Sequence, residues 1–122
     1  ALFPVDPARV ESEFLSWQRT LPETPLCGIA AVNTPSQVVV SGERGAVDSF
    51  ITHLKTCFRV RRVRDLDVSA PFHSPVMRPV VEELATGMAN INWGPMRHPV
   101  IVNASAKIIS QTEELQQALL EQ

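Results

Sequence analysis

His73 is the residue whose type and position point most clearly to chemistry. It lies in the stretch DVSAPFHSPVM, in which Pro71 and Pro75 restrict the backbone on either side of it. An imidazole titrates near neutral pH and is the commonest general base in enzymes. Loops held by rigid elements often carry catalytic side chains. Taken alone, however, a single loop histidine is more often without a catalytic role, so the residues make His73 a candidate only.

A histidine base needs a nucleophile to activate, and the chain offers no recognisable one. No serine lies in a Gly-x-Ser-x-Gly turn, which would expose its hydroxyl, and this includes the candidates Ser41, Ser69, Ser74 and Ser105. Cys27 and Cys57 form no CxxC pattern, so we expect two buried, reduced thiols and neither a zinc site nor a disulfide. His53, on a predicted helix, is expected to be exposed or half-buried and not a ligand. The motif PFH thus offers a candidate base, but the residues show no nucleophile for it to activate.

Composition limits the function classes. The chain has 122 residues and a formal net charge of -2, from 11 Lys plus Arg and 13 Asp plus Glu. We therefore expect one domain, or a large piece of one, that binds neither nucleic acid nor membrane through its overall charge. No apolar run approaches the roughly 20 residues that span a bilayer, which predicts a soluble protein of the cytoplasm or a reducing organelle. The first residue is Ala1, which suggests a fragment or a processed chain.

Residues 1–68 show the pattern strand, helix, strand, strand, helix, strand. Asp6 and Pro7 predict the start of the first helix, and the second follows Gly42 as far as Cys57. The predicted strands are the initial ALFPV, Leu26–Val32, Gln37–Gly42 and Phe58–Val68. This order is typical of a ferredoxin-like split βαβ sandwich, an α+β fold with two helices on an antiparallel sheet.

The last of these strands is unusually basic, because it carries Arg59, Arg61, Arg62 and Arg64. One interpretation is an edge strand whose charges prevent association with other sheets. The other is a docking surface for an acidic partner, and both remain open, with the first favoured because Asp65 and Asp67 dilute the charge.

Residues 69–122 change to the pattern helix, strand, helix. A helix beginning at Pro75 would carry an apolar stripe formed by Val76, Val80, Leu84, Met88 and Ile91. HPVIVN is a predicted strand, and TEELQQALLEQ is a predicted helix with Thr112 as its cap. These are elements of a parallel α/β layer, but too few to close one, so we expect the stripe to find other cover or remain exposed.

Several blocks carry a family likeness: AAVNTPSQVVVSGERGAVDSF, the basic strand, LDVSAPFHSPVMRPVVEEL and PVIVNASA. Together they resemble the malonyl-CoA:acyl carrier protein transacylases and the acyltransferase domains of fatty-acid and polyketide synthases. The resemblance implies an α/β-hydrolase-like core with an inserted ferredoxin-like subdomain. Residues 1–68 would be that subdomain, and residues 69–122 the histidine loop with a partial, helix-strand-helix remnant of the core.

The resemblance also implies roles for individual residues. His73 matches the family's catalytic base, and Phe72, just before it, would favour malonyl over α-branched acyl groups, or simply pack under the loop. The four strand arginines could steer an acidic carrier protein. Asn33 and Asn103 are expected to be structural. The nucleophilic serine, the oxyanion donors and the arginine that grips malonate have no match here, so the chain alone is expected to be inactive.

The implied substrates are malonyl-CoA and phosphopantetheinylated acyl carrier protein, with the remainder of the acyltransferase or synthase as a further partner. No bound cofactor, metal, nucleic acid or membrane is implied. A non-catalytic module that docks a carrier protein or subunit is the alternative. A ferredoxin-like RNA-binding domain is disfavoured, because the strands lack the interleaved aromatic residues that stack bases.

Overall fold

The computed structural model describes residues 1–103 and 105–121 of the chain. It has an α+β architecture with four α-helices and short antiparallel sheets, which confirms the predicted class. The chain divides into two compact units, Ala1–Met77 (unit 1) and Arg78–Gln122 (unit 2). Within the described ranges, no helix is both long enough and apolar enough to cross a membrane.

Unit 1 contains four strands and two helices in the predicted order. These are β1 (Leu2–Phe3), α1 (Pro7–Gln18), β2 (Cys27–Thr34), β3 (Gln37–Gly42), α2 (Arg44–Cys57) and β4 (Arg62–Val63). The strands form one antiparallel sheet in the order β2-β3-β1-β4. Both helices contact the sheet and each other, so they cover the same face of it.

Local signals account for the boundaries of α1 and α2. Asp6 caps α1 by accepting a hydrogen bond from the amide of Ala8 at 3.0 Å, and Pro7 occupies the first turn. Between β3 and α2 the chain turns at Gly42, whose φ of 150° is accessible essentially to glycine alone. A Cβ there would lie 2.2 Å from the Leu26 carbonyl oxygen. The junction between β3 and α2 therefore requires glycine.

The core of unit 1 lies between the sheet and the two helices. Its buried side chains are Leu2, Val5, Val10, Trp17, Cys27, Val38, Phe50 and Leu54. Phe50 packs edge-on against Phe14, with ring centroids 5.0 Å apart, and lies 5.1 Å from the ring of Trp17. Burial of each large apolar side chain contributes about 1.5–3 kcal/mol, so this cluster fixes α1 and α2 on the sheet.

The basic strand β4 is at the edge of the sheet, but it is much shorter than predicted. The prediction gave Phe58–Val68, whereas only Arg62–Val63 are paired. The reason is the partner: β1 is two residues long, so the ladder ends after Leu2 and Phe3.

Unit 2 contains α3 (Arg78–Ala89), β5 (Val100–Ile101), β6 (Ile108–Ile109) and α4 (Thr112–Leu120). The predicted order helix, strand, helix is incomplete, because a second strand, β6, which the sequence analysis missed, pairs antiparallel with β5. The helix predicted from Pro75 begins at Arg78, after a 3₁₀ turn at Pro75–Met77.

Two further predictions concern α4. Thr112 is not its cap, because Gln111 holds that position and the Thr112 hydroxyl donates to the Gly94 carbonyl at 3.0 Å. Gln122, at the end of the predicted helix, and Ala104, in the block PVIVNASA, lie outside the described residues.

The sequence analysis expected the apolar stripe of α3 either to find other cover or to remain exposed, and it is largely exposed. Within α3, Val80 and Leu84 are about half exposed, at 50% and 44%, while Met88 is buried. Ile91 is 54% exposed and lies beyond the end of the helix at Ala89. The small core of unit 2 lies elsewhere, around Val102, Ile109 and Ala118.

Candidate active site

The loop that carries His73 is closed by hydrogen bonds between residues two or three positions apart. The amide of Phe72 donates to the Ala70 carbonyl at 2.9 Å, and the Ser74 hydroxyl donates to the Pro71 carbonyl at 2.6 Å. The amide of Met77 then donates to the Ser74 carbonyl at 3.0 Å and closes the 3₁₀ turn. With prolines at both ends, these bonds leave the loop few alternative conformations.

His73 itself has a left-handed backbone, with φ of 56°. Histidine is among the residues that adopt this region more often than most, yet the conformation persists only where the surroundings enforce it. The side chain is exposed on the loop. The turn thus holds the exposed His73 side chain on a left-handed backbone that most residues seldom adopt.

The loop rests on the sheet at strand β2. Pro75 packs beside Gly28, where an added Cβ would lie 3.8 Å from the proline Cδ. Because β2 is paired along its length with β3, this contact ties the position of His73 to the most extensively paired part of the sheet.

A groove of about 620 Å³ lies next to this loop, wholly within unit 1. Its walls come from β2 and β3, from the first half of α2, and from the segment after β4 as far as His73. The volume is in the range of small-molecule sites, roughly 300–1,000 Å³. Its charged side chains are balanced, with Arg44 and Arg64 against Asp48 and Asp65. His73 thus borders a groove whose lining is mainly apolar.

Phe72 also lines this groove and is 47% exposed. Its ring is therefore available to a molecule in the groove.

The four basic residues of the predicted strand are all exposed, but they do not act as one group at the groove. Only Arg64 lines it. The guanidinium of Arg62 lies 5.3 Å from the centre of the Phe3 ring, a cation–π contact on β1. Arg59 and Arg61 lie on the approach to β4. The structure thus brings Arg64 and His73 to one groove and leaves the other three arginines outside it.

The two thiols differ in their surroundings. Cys27 is buried in the core, as expected, and burial raises the pKa of its thiol to about 11. Cys57 is only half-buried, and its Sγ lies 3.5 Å from Nε2 of His53. Neither cysteine lines the groove.

Sequence reasoning missed two groups of residues. Arg44 and Asp48 reach the groove from the start of α2, and no sequence signal distinguishes them from ordinary surface charges. The other group is Glu13, His53 and Cys57, which meet where α1 packs on α2. His53 is half-buried, as expected. Its spacing from Cys57, four residues on one helix, could have predicted that these two side chains lie close together. Glu13 could not have been predicted as their neighbour, because it comes from a distant part of the chain.

Comparison with known proteins gives a consistent result, although no family model matches the chain. A malonyl CoA-acyl carrier protein transacylase of Staphylococcus aureus (strain MSSA476) is 30% identical over 93 residues, which are 76% of this chain and 30% of that protein. The crystal structure of a malonyl-CoA:acyl carrier protein transacylase from Xanthomonas oryzae pv. oryzae is 28% identical, with a TM-score of 0.82. That match covers 98% of this chain and 37% of the other.

A further similar structure is a type II PKS acyl-carrier protein in complex with its malonyl-transacylase. The matched chain of that complex is 26% identical to this chain, with a TM-score of 0.81, and the match covers 98% of this chain and 37% of the matched one. The chain thus spans only about a third of the length of the proteins it matches. Sequence identity and fold agree in assigning this chain, as a segment of that extent, to the malonyl CoA-acyl carrier protein transacylase family.

Proposed function

We propose that this chain supplies the general base, His73, to an enzyme that transfers malonyl from coenzyme A to the phosphopantetheine thiol of acyl carrier protein. The observation that carries the proposal is the left-handed, doubly proline-flanked turn that presents His73 at the groove of unit 1. The family assignment supports the choice of acyl group and acceptor.

The reaction would proceed in two half-reactions. In the first, His73 accepts the proton of a serine hydroxyl as the serine oxygen attacks the malonyl thioester carbon, and the imidazolium then protonates the departing coenzyme A sulfur. In the second, His73 accepts the proton of the carrier thiol as its sulfur attacks the malonyl-serine ester, and returns that proton to the serine oxygen. The serine would come from another part of the protein, since no Gly-x-Ser-x-Gly turn occurs in this sequence.

Phe72 is proposed to select the acyl group. Its half-exposed ring borders the groove beside His73, where it would crowd a methyl branch next to the thioester carbon. One methyl group in an apolar pocket changes discrimination by roughly 10–200-fold. Phe72→Ala should therefore raise kcat/KM for methylmalonyl-CoA relative to malonyl-CoA at least about tenfold. An unchanged ratio would mean that Phe72 only packs under the loop.

Unit 1 is interpreted as a ferredoxin-like subdomain, and unit 2 as part of an α/β-hydrolase-like core. The strand order β2-β3-β1-β4 with two helices on one face supports the first interpretation. The exposed stripe of α3 supports the second, because an apolar helix face of this kind normally packs against core strands.

The exposed arginines are proposed to steer the acidic carrier protein towards the groove. Arg59, Arg61 and Arg62 lie near the edge strand, and Arg64 reaches the groove itself. Reversing the charges of Arg61 and Arg62 to Glu should slow carrier association at low salt. Reversing Arg19 and Lys55, two exposed cations elsewhere on unit 1, is the charge-matched control. Equal effects of the two double variants would exclude a specific docking role.

The competing function is a module that binds a carrier protein or subunit without catalysis. The test is to incubate the protein that carries this segment with malonyl-CoA and labelled phosphopantetheinylated carrier, and to measure binding and malonyl-carrier formation together. Malonyl-carrier formation above the uncatalysed rate supports the transferase. Saturable carrier binding with no malonyl transfer would support the module and overturn the proposal.

A further inference from the structure

Three half-buried, metal-ligating side chains converge where α1 packs on α2 in unit 1. The Nε2 atom of His53 lies 3.3 Å from Oε2 of Glu13 and 3.5 Å from Sγ of Cys57. All three ligand atoms lie within 4.8 Å of one another. The His53 and Glu13 side chains are 27% and 26% exposed, so the cluster is partly shielded yet open to an ion.

We propose that Glu13, His53 and Cys57 form a Zn²⁺ site, with water as the fourth ligand. Tetrahedral zinc with Zn–N near 2.05 Å, Zn–O near 2.05 Å and Zn–S near 2.3 Å places nitrogen about 3.4 Å from oxygen and about 3.6 Å from sulfur. The two distances in the structure, 3.3 Å and 3.5 Å, agree with these to about a tenth of an ångström. Two of the three ligand–ligand distances thus match those around the ion, and the third, from Oε2 of Glu13 to Sγ of Cys57, is within 4.8 Å.

The backbone and its contacts bring these three ligands together. His53 and Cys57 are four residues apart on α2, a spacing that puts both on one helix face. The His53 ring is stacked on Phe50, with centroids 6.4 Å apart and an interplanar angle of 18°. On α1, one turn before Glu13, the guanidinium of Arg9 donates to the Cys57 carbonyl at 3.0 Å. That bond holds α1 against the end of α2 that carries Cys57.

The charges also suit a divalent cation. A zinc-bound thiolate and a carboxylate together neutralise Zn²⁺, while the imidazole binds as a neutral ligand. On binding, the Cys57 thiol would lose its proton to solvent as the Zn–S bond forms. A mixed sulfur, nitrogen and oxygen set suits zinc better than magnesium or calcium, which prefer oxygen alone.

This proposal departs from the prediction of no zinc site, which depended on cysteine spacing alone. The three ligands come together only when α1 packs against α2, so no local sequence motif predicts the site. The alternative explanation of the cluster is an ordinary Glu13–His53 ion pair with a neighbouring thiol.

Cobalt substitution tests the site directly. The metal-stripped chain is titrated with Co²⁺, and absorption is recorded. We expect one equivalent to give a thiolate-to-cobalt charge-transfer band and the strong visible bands of a tetrahedral ion. Zn²⁺ should abolish both by displacement. Absence of the charge-transfer band in the unaltered chain would overturn the proposal without reference to any variant.

Variants then assign the ligands. Changes to residues that only orient zinc ligands cost 10–100-fold in affinity, so His53→Gln and Cys57→Ser should each weaken zinc binding at least about a hundredfold. Glu11→Gln, an exposed carboxylate on α1, and Cys27→Ser, the other thiol, should leave the binding and the cobalt band unchanged. Far-ultraviolet circular dichroism without metal establishes that each variant folds. Equal affinity in Cys57→Ser would mean an ion pair only.

A second readout uses thiol chemistry and needs no variant. Zn²⁺ should slow the alkylation of Cys57 by iodoacetamide in proportion to site occupancy, as measured by peptide mass spectrometry. An unchanged rate at zinc concentrations that saturate the chain would contradict coordination by the Cys57 sulfur.

Discussion

Replacing Gly42 by alanine should destabilise unit 1 severely, because both its backbone and its surroundings exclude a side chain. A non-glycine residue in a backbone region of this kind costs of order 1–3 kcal/mol. The added Cβ would also lie 2.2 Å from the Leu26 carbonyl oxygen and 2.4 Å from the Cys27 Cα, both backbone atoms of a paired strand. Relieving that overlap requires β2 or the start of α2 to move. We expect a total loss of at least about 3 kcal/mol, a large part of the 5–15 kcal/mol typical of a domain.

Urea unfolding measures this loss for unit 1 alone if the protein first carries Trp93→Phe. The remaining Trp17 is buried in the core of unit 1, so its fluorescence reports on that unit. Gly45→Ala is the matched control, since a Cβ there meets nothing within 4 Å and alanine favours a helix. A Gly42→Ala protein within about 0.5 kcal/mol of its parent, the range of ordinary surface changes, would refute the reasoning.

Three further predictions concern the thiols and the loop. In the metal-free protein, iodoacetamide should label Cys57 much faster than the buried Cys27, and comparable rates would contradict the burial of Cys27. The pKa of Cys27 is raised to about 11, so the stability it contributes is complete below its unfolded pKa of about 8.5 and is lost as pH rises towards 11. The urea midpoint should therefore fall between pH 8.5 and 11 less steeply in Cys27→Ala than in the unaltered protein. Parallel dependence of the two midpoints on pH would exclude a contribution of the Cys27 thiol to this loss of stability. Ser74→Ala removes the bond to the Pro71 carbonyl, which is worth about 0.5–1.5 kcal/mol. If the proposed function holds, the protein that carries this segment should then show a kcat for malonyl transfer lowered about twofold to tenfold, with KM little changed. A rise in KM alone would contradict this positioning role.

Local sequence signals predicted most of unit 1. Proline at the first turn and an aspartate cap located the start of α1, and a β-branched run ending in glycine gave β3 with the bounds that the structure has. In each case the deciding residues lie inside or next to the element.

The errors arose where a distant partner decides the structure. The length of β4 is set by the two residues of β1, some sixty positions earlier in the chain. The strand Ile108–Ile109 is too short to show alternation, and only its pairing with β5 identifies it.

The candidate site, too, has one part that local sequence predicts and another that depends on distant partners. The restricted turn around His73 is visible in the sequence, because two prolines and a serine hydroxyl act within a few residues of it. The groove and the Glu13–His53–Cys57 cluster could not be predicted from local patterns, since each depends on how α2 packs against other elements.

The role of His73 as the base is tested most directly by the rate of malonyl-enzyme formation from malonyl-CoA, measured in the protein that carries this segment. General acid–base catalysis contributes about 10²–10⁴-fold, so His73→Ala should slow acylation at least about a hundredfold. His98→Ala, at an exposed histidine of unit 2, should leave it unchanged. Acylation by His73→Ala at a rate within a few-fold of the unaltered protein would contradict the account.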